Sequence, residues 1–316
     1  MTIKMLVVTN RRLENETKND ETMFGENPNI NGPAEVRLAW AEKQGKKWNL
    51  SLITEPLGMR SDSLPSKNAF KEFKKLLLSN EQNCVFYVHG YNKDFEESIS
   101  QGWELQKRYG VGVLVFSWAS NPGGLPPIEY PKARAIAGAS SSALDMTLEK
   151  LGRYMREEAD ADCGISLNLL THSLGNYLFQ KFVEKPLFSG ETRIFDNLIL
   201  HQADVDSEGH EDWVNKLRYA RRVYATINEG DKILDISDVI NPDRLGNTAS
   251  NLDSNQAIYL DFTNADKVKK AHQIFGKTAD KNPVIKEFFS QVLNGKAGEL
   301  IQRIRFNPSK NAFDVS

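Results

Sequence analysis

Cysteine is nearly missing from this chain, with only two among 316 residues. Two thiols cannot build a disulfide scaffold. Cys84 and Cys163 each precede a predicted strand, and both read as reduced, buried thiols of a reducing compartment. Net charge is also scarce, at -2, so no general attraction draws the chain to nucleic acid or to an anionic membrane. The basic stretches Lys267-Val268-Lys269-Lys270 and Arg221-Arg222 are short and read as solvated faces. No apolar run approaches the roughly 18 residues that a membrane span needs. The opening Met1 to Thr9 is too short for a signal peptide and leads straight into polar sequence. Phosphate-cradling glycine loops are missing too, since Gly110-Val111-Gly112 precedes a predicted strand instead of following one. These absences predict a soluble cytoplasmic protein with no cofactor and no nucleic-acid partner, and they leave its oligomeric state open.

What is present is ample core material. Hydrophobic residues make up 40% of the chain and charged residues 26%. Short β-rich apolar runs alternate with longer helical patterns, which predicts an α/β fold with a largely parallel sheet and helices on both faces. The predicted strands are Met5–Thr9, Glu35–Trp40, Trp48–Ile53, Val85–His89, Val113–Trp118, Leu167–Thr171, Leu198–His201, Val223–Ile227 and Ile258–Phe262. The early strands have hairpin-like spacing without a helix between them, so they predict an antiparallel amino-terminal edge. Helical spacing recurs through Ala69 to Leu77, Ile99 to Tyr109, Leu144 to Met155 and Val284 to Leu293. No repeat, low-complexity tract or linker divides the chain. One domain spanning 1–316 is the simplest account.

The most informative stretch is Leu167-Asn168-Leu169-Leu170-Thr171-His172-Ser173-Leu174-Gly175-Asn176. An apolar strand breaks at a serine and continues as an amphipathic helix. Such a bend lifts the serine hydroxyl above the sheet and aims the next backbone N–H at the same space. The pattern is close to G-x-S-x-G, with Thr171 where the first glycine usually stands.

A serine hydroxyl needs a base to take its proton and an acid to orient that base. Five histidines are available. His172 neighbours the serine, so strand alternation turns it to the opposite side. His89 precedes the serine, at the end of a strand. His272 lies on a loop past the last predicted strand, where the order Ser…Asp…His expects the base. Asp231 is the preferred acid and Asp204 the alternative, each on a loop after a late strand. Two N–H groups must face the developing oxyanion. Leu174 is expected to supply one and Tyr91 the other (Asn92 being the neighbouring alternative), with His89 and Gly90 supporting the loop. His201, Asp204, Asp206 and His210 have no fixed ligand spacing, so no metal is expected there.

Val88-His89-Gly90-Tyr91-Asn92, Phe116-Ser117-Trp118, the Thr171 to Asn176 elbow, Asn228 to Asp231 and Ala271 to Phe275 together resemble the α/β-hydrolase superfamily. Within it the chain is similar to a microbial group of uncharacterised α/β hydrolases with a His-Ser-x-Gly-Asn elbow. Val7 to Arg12 and Met23-Phe24-Gly25 are similar to the amino-terminal strand region of that group. The resemblance spans roughly Met5 to Gly276. It implies Ser173 as nucleophile, His272 as base and Asp231 as acid. Ala119 stands where the group often has proline.

Only Val205 to Tyr219 is available for a cap, enough for one short helix, so a minimally capped site is expected. Asn121–Tyr130 and Asp238–Ser254 would border it. The resulting expectation is a carboxylesterase-like serine hydrolase that cleaves an ester, thioester or amide through an acyl-enzyme, acting on small or polymer-attached acyl substrates. The rival is a catalytically silent binding or scaffold module of the same fold. Acyl transfer to an acceptor other than water uses the same residues.

Overall fold

Strands form where β-branched and aromatic residues can be buried on both faces, and helices form between them where one face alone is apolar. A computed structural model of the protein describes residues 4–55, 64–123, 126–157, 164–185, 194–238 and 242–316. Cys163, residues 124–125 of one expected border loop and residues 239–241 of the other lie outside the described residues. The chain divides into two compact units, one running to Ile165 and the other from Ser166 onward.

The first unit contains β1 (Lys4–Thr9), β2 (Arg11–Leu13), β3 (Phe24–Pro28), β4 (Arg37–Gln44), β5 (Lys47–Ile53), α1 (Pro65–Ser79), β6 (Cys84–Val88), α2 (Phe95–Tyr109), β7 (Gly112–Ser117) and α3 (Pro126–Glu157). Strand β7 pairs in parallel with both β6 and β1. From β1 outward the pairing turns antiparallel, through β4 to β5, which is the expected edge. Strand β6 is buried at every residue, as parallel strands covered on both faces are. A capping box of Asp94 and Glu97 opens α2, and Gly110 closes it at φ 65°.

Two features depart from the sequence reading. The hairpin of β2 and β3 was not expected, because two short strands separated by a polar stretch carry no alternation signal. The expected border loop Asn121–Tyr130 is helical from Pro126 onward, and Pro131 lies inside α3. Proline at the first helical positions gives up N–H groups that have no intrahelical partner anyway, so Pro126-Pro127 starts a helix instead of breaking one.

The second unit contains β8 (Leu167–His172), α4 (Gly175–Glu184), β9 (Phe195–His201), α5 (Glu211–Val214), β10 (Ala220–Ile227), α6 (Lys232–Asp238), β11 (Ala257–Asp261), α7 (Pro283–Val292), β12 (Ile304–Asn307) and β13 (Ala312–Val315). Strands β8, β9, β10, β11 and β13 run parallel in that spatial order, and β12 adds on antiparallel to β13. Between β9 and β10 the chain makes one short helix, α5. Asn282 caps α7 by accepting from the N–H groups of Val284 and Ile285, with Pro283 at the first helical position. The other end of α7 is tied to the sheet. Asn168 Nδ2 donates to Leu293 O, and Asn197 Nδ2 donates to Val292 O and Lys296 O. Among the described residues, no helix is long and apolar enough to cross a membrane.

Candidate active site

Strand β8 ends at His172, and the next residue turns over. Ser173 has φ 53°, in the left-handed region that side chains other than glycine rarely adopt. Backbone strain of this kind persists only where the surroundings over-determine it. They do so here. Ser173 N donates to His201 O at 3.1 Å, while Ser173 O accepts from Asn176 N and Asp204 N. Asn176 is fully buried, and its Nδ2 donates to Ser173 O, Thr171 O and His201 O. Thr171 Oγ1 in turn sits 2.6 Å from Asn176 Oδ1. Thr171 therefore fastens the bend through Asn176. Leu174 follows in helical conformation and leads into α4, so its N–H belongs to the amino-terminal end of that helix.

Two candidate residues meet directly. His272 Nδ1 lies 2.7 Å from Asp231 Oδ2. Asp231 is fully buried, and its other oxygen, Oδ1, accepts from the N–H groups of Ile233 and Leu234 at the start of α6. Asp204 is engaged elsewhere. Its Oδ1 accepts from Ser237 Oγ at 2.8 Å and lies 3.9 Å from Arg244 Nε.

Gln202 joins these parts, and nothing in the sequence singled it out. Its backbone has φ 40°, and its side chain is fully buried. Its Nε2 donates to Asp231 Oδ2 at 2.5 Å and to Ala271 O at 2.7 Å, and its Oε1 accepts from Ile274 N. One carboxamide thus grips the acid and the backbone on both sides of His272. Asn228 adds a second grip, with Nδ2 donating to Lys269 O and Ala271 O. Gly230 makes room for this approach, because a Cβ there would stand 2.4 Å from Lys269 O.

The His172 ring packs 4.9 Å from that of His272, and its Nε2–H donates to His272 O at 3.0 Å. His201 lies 5.5 Å from His172, with Nδ1 at 2.8 Å from Thr226 Oγ1. Burial holds the His201 ring well below the ordinary imidazole value, and the nearby charge of His272 adds to this. His210 contacts Ser207 O and the Tyr259 hydroxyl, and Asp206 pairs with Arg244.

The first unit carries the remaining candidates. His89 directly follows β6 and is fully buried, stacked on Trp118 at 5.6 Å. Its Nε2 accepts from Trp118 N–H, which leaves the proton on Nδ1 facing Gly90 O. Burial pushes this imidazole down to about 3, and the positive charge of Arg11 adds to the effect. The loop that carries Tyr91 is pinned at its far side. Asn92 N donates to Ser120 O, Lys93 N donates to Ser120 Oγ, and Arg11 Nη2 donates to Lys93 O at 2.6 Å. Arg11 itself is buried, and desolvation lowers it to about 10 against the opposing pull of Glu26.

Residues 66–294 match the family model described as Alpha/beta hydrolase of unknown function (DUF900). The chain belongs to this family. The mostly parallel sheet, its antiparallel edge and the helices around it are the α/β-hydrolase fold of DUF900. No curated protein and no solved structure matches the chain. The DUF900 match takes in the Ser173 turn, the Asp231 and His272 loops and the His89-Gly90-Tyr91 segment. Gln202 and Asn176 lie inside it as well. The elbow pattern drew attention to Asn176, but its bracing role depends on a bond back to Thr171 that spacing does not reveal.

Proposed function

We propose that this DUF900 protein is a serine hydrolase that cleaves an ester, thioester or amide through an acyl-enzyme on Ser173. The observation that carries the reading is the 2.7 Å contact of His272 Nδ1 with the buried Asp231 carboxylate, in the same compact unit as the left-handed turn at Ser173. An imidazole held from Nδ1 by a carboxylate keeps Nε2 as the basic nitrogen. In this mechanism Nε2 of His272 takes the Ser173 proton as Oγ attacks the acyl carbon. The proton then passes to the leaving group, and water repeats the sequence to release the acid. Asp231 fixes the tautomer and steadies the imidazolium. The N–H of Leu174, at the amino-terminal end of α4, is a donor for the oxyanion, a contribution of several kcal/mol where such a donor is preorganised. The reading of 1–316 as one hydrolase domain belongs to this proposal, and the family match supports it by running through residues of both units.

A fluorophosphonate probe tests the proposal. Wild type is expected to label at one site, and Ser173→Ala to lose that label while keeping its melting temperature. A folded wild type that stays unlabelled would leave the fold serving as a binding module.

A further inference from the structure

A cavity of about 690 Å³ lies wholly within the first compact unit, and none of Ser173, Asp231 and His272 lines it. Its volume falls in the range of small-molecule sites. The sheet supplies its floor. Val8, Leu38 and Ile53 stand side by side across β1, β4 and β5, and Leu6 stands beside Leu114 of β7. Paired residues of neighbouring strands share a face, so these aliphatic side chains present one surface. One face of α3 lines the cavity as well, through Met146, Lys150, Arg153 and Tyr154 at helical spacing. That stripe is about 12 Å long at a rise of roughly 1.5 Å per residue, the span of an extended chain of about eight carbons.

The charges of the lining leave one cation over. Glu55 pairs with Lys150 at 2.7 Å and Glu35 pairs with Arg37, while Glu16 and Glu149 are exposed. Glu35 Oε2 is buried without a hydrogen-bond partner, but the Arg37 guanidinium meets its charge. Arg153 remains, and among the described residues its buried Nε has no hydrogen-bond partner. Lys150, one helical turn before it, gives one proton to Glu55 Oε2 and one to Ser66 Oγ, which leaves its third. An ammonium ligand is repelled by both cations. A neutral alcohol leaves the guanidinium unbalanced, and a bare inorganic anion leaves the aliphatic floor uncovered. A carboxylate with an unbranched tail answers both, since its two oxygens match the guanidinium fork and its methylenes displace water from the floor. We propose that this cavity binds an aliphatic carboxylate of medium chain length, with its head on Arg153 and Lys150 and its tail along Val8, Leu38 and Ile53. No residue of the second unit takes part, so the site stands whether or not Ser173 is a nucleophile.

Ligand-observed NMR on the full chain tests the site, with octanoate as the probe. Wild type is expected to bind octanoate on the order of tenfold or more tighter than octylammonium, which has the same tail and the opposite charge. Butanoate, with four fewer methylenes to bury, should bind on the order of a hundredfold more weakly than octanoate. Arg153→Gln should weaken octanoate about tenfold and leave octan-1-ol unchanged, while Ile53→Trp, which fills the floor, should weaken both. No binding of octanoate, equal binding of octanoate and octylammonium, or equal binding of octanoate and butanoate overturns the proposal. These wild-type comparisons stand even if a variant folds poorly. Octanoate binding that a folded Arg153→Gln or Ile53→Trp leaves undiminished also overturns it, because the acid then sits elsewhere, as at the Ser173 site.

Discussion

Gln202→Glu keeps the shape of the side chain that grips the Asp231 and His272 loops and changes only its donors and charge. In the native protein Nε2 stands 2.5 Å from Asp231 Oδ2 and 2.7 Å from Ala271 O. An introduced carboxylate oxygen there faces two acceptors. Two unit charges about 3 Å apart at an effective dielectric constant of about 20 repel by roughly 5 kcal/mol. That equals about 4 pH units, enough to lift the new carboxyl from about 4.3 to near 8. Below that pH it is a neutral acid that donates to Asp231. Above it, a second negative charge beside Asp231 favours the imidazolium of His272, which cannot act as a base. The expected result is a fall in kcat/KM for p-nitrophenyl acetate on the alkaline side, centred near pH 8 and on the order of tenfold or more, that wild type does not show. Profiles of wild type and variant that superimpose, with both proteins folded by circular dichroism, would refute the clamp.

Asp231→Asn should reduce kcat by a factor on the order of 10⁴, as loss of the orienting acid does in such triads. Asp204→Asn should stay within about tenfold of wild type, because its carboxylate serves Ser237. Equal losses in the two variants would contradict the assignment of the acid. Gly230→Ala forces a Cβ against Lys269 O. Displacing the His272 loop by about 1 Å should cost up to roughly 100-fold in kcat/KM, and an unchanged value would show that the loop is slack. His89, buried and pushed from 6.5 down to about 3, binds its proton far more weakly folded than unfolded. Its contribution to stability is complete above about pH 6.5 and is lost as pH falls toward 3, an effect on the order of 5 kcal/mol. His201, held down by burial, acts in the same direction. Melting temperature followed from neutral pH into acid should fall, and the slope should flatten in His89→Asn; an unchanged slope in that variant would discount His89.

Sequence reasoning reached the architecture wherever periodicity carried the signal. Nine strands were legible because each is an apolar run bounded by turn residues, from β1 with its buried Met5 to Thr9 through to β11. The short pairs were not. Strands β2, β12 and β13 have three or four residues each, too few for alternation to stand out. Ser173, Asp231 and His272 were singled out because hydrolytic chemistry limits residue types and chain order limits positions, and the contact of His272 with Asp231 fits that reading. Gln202 was not, since a buried amide that joins two loops leaves no spacing pattern, and its partners Asp231 and Ala271 are far along the chain. The contact of His172 with His272 was hidden for a related reason, because the partner arrives from a loop far along the chain.

The hairpin of β12 and β13 has a practical consequence for anyone trimming the protein. The family match stops at residue 294, yet β13 occupies the outer flank of β11, with Leu260 opposite Phe313 and Lys310 bound to Asp261 at 2.8 Å. A fragment cut to the matched boundary would leave the backbone of Ala257–Asp261 bare and ready to recruit a strand from a neighbouring molecule. Such a fragment is headed for the pellet, and expression plasmids should run on through Val315.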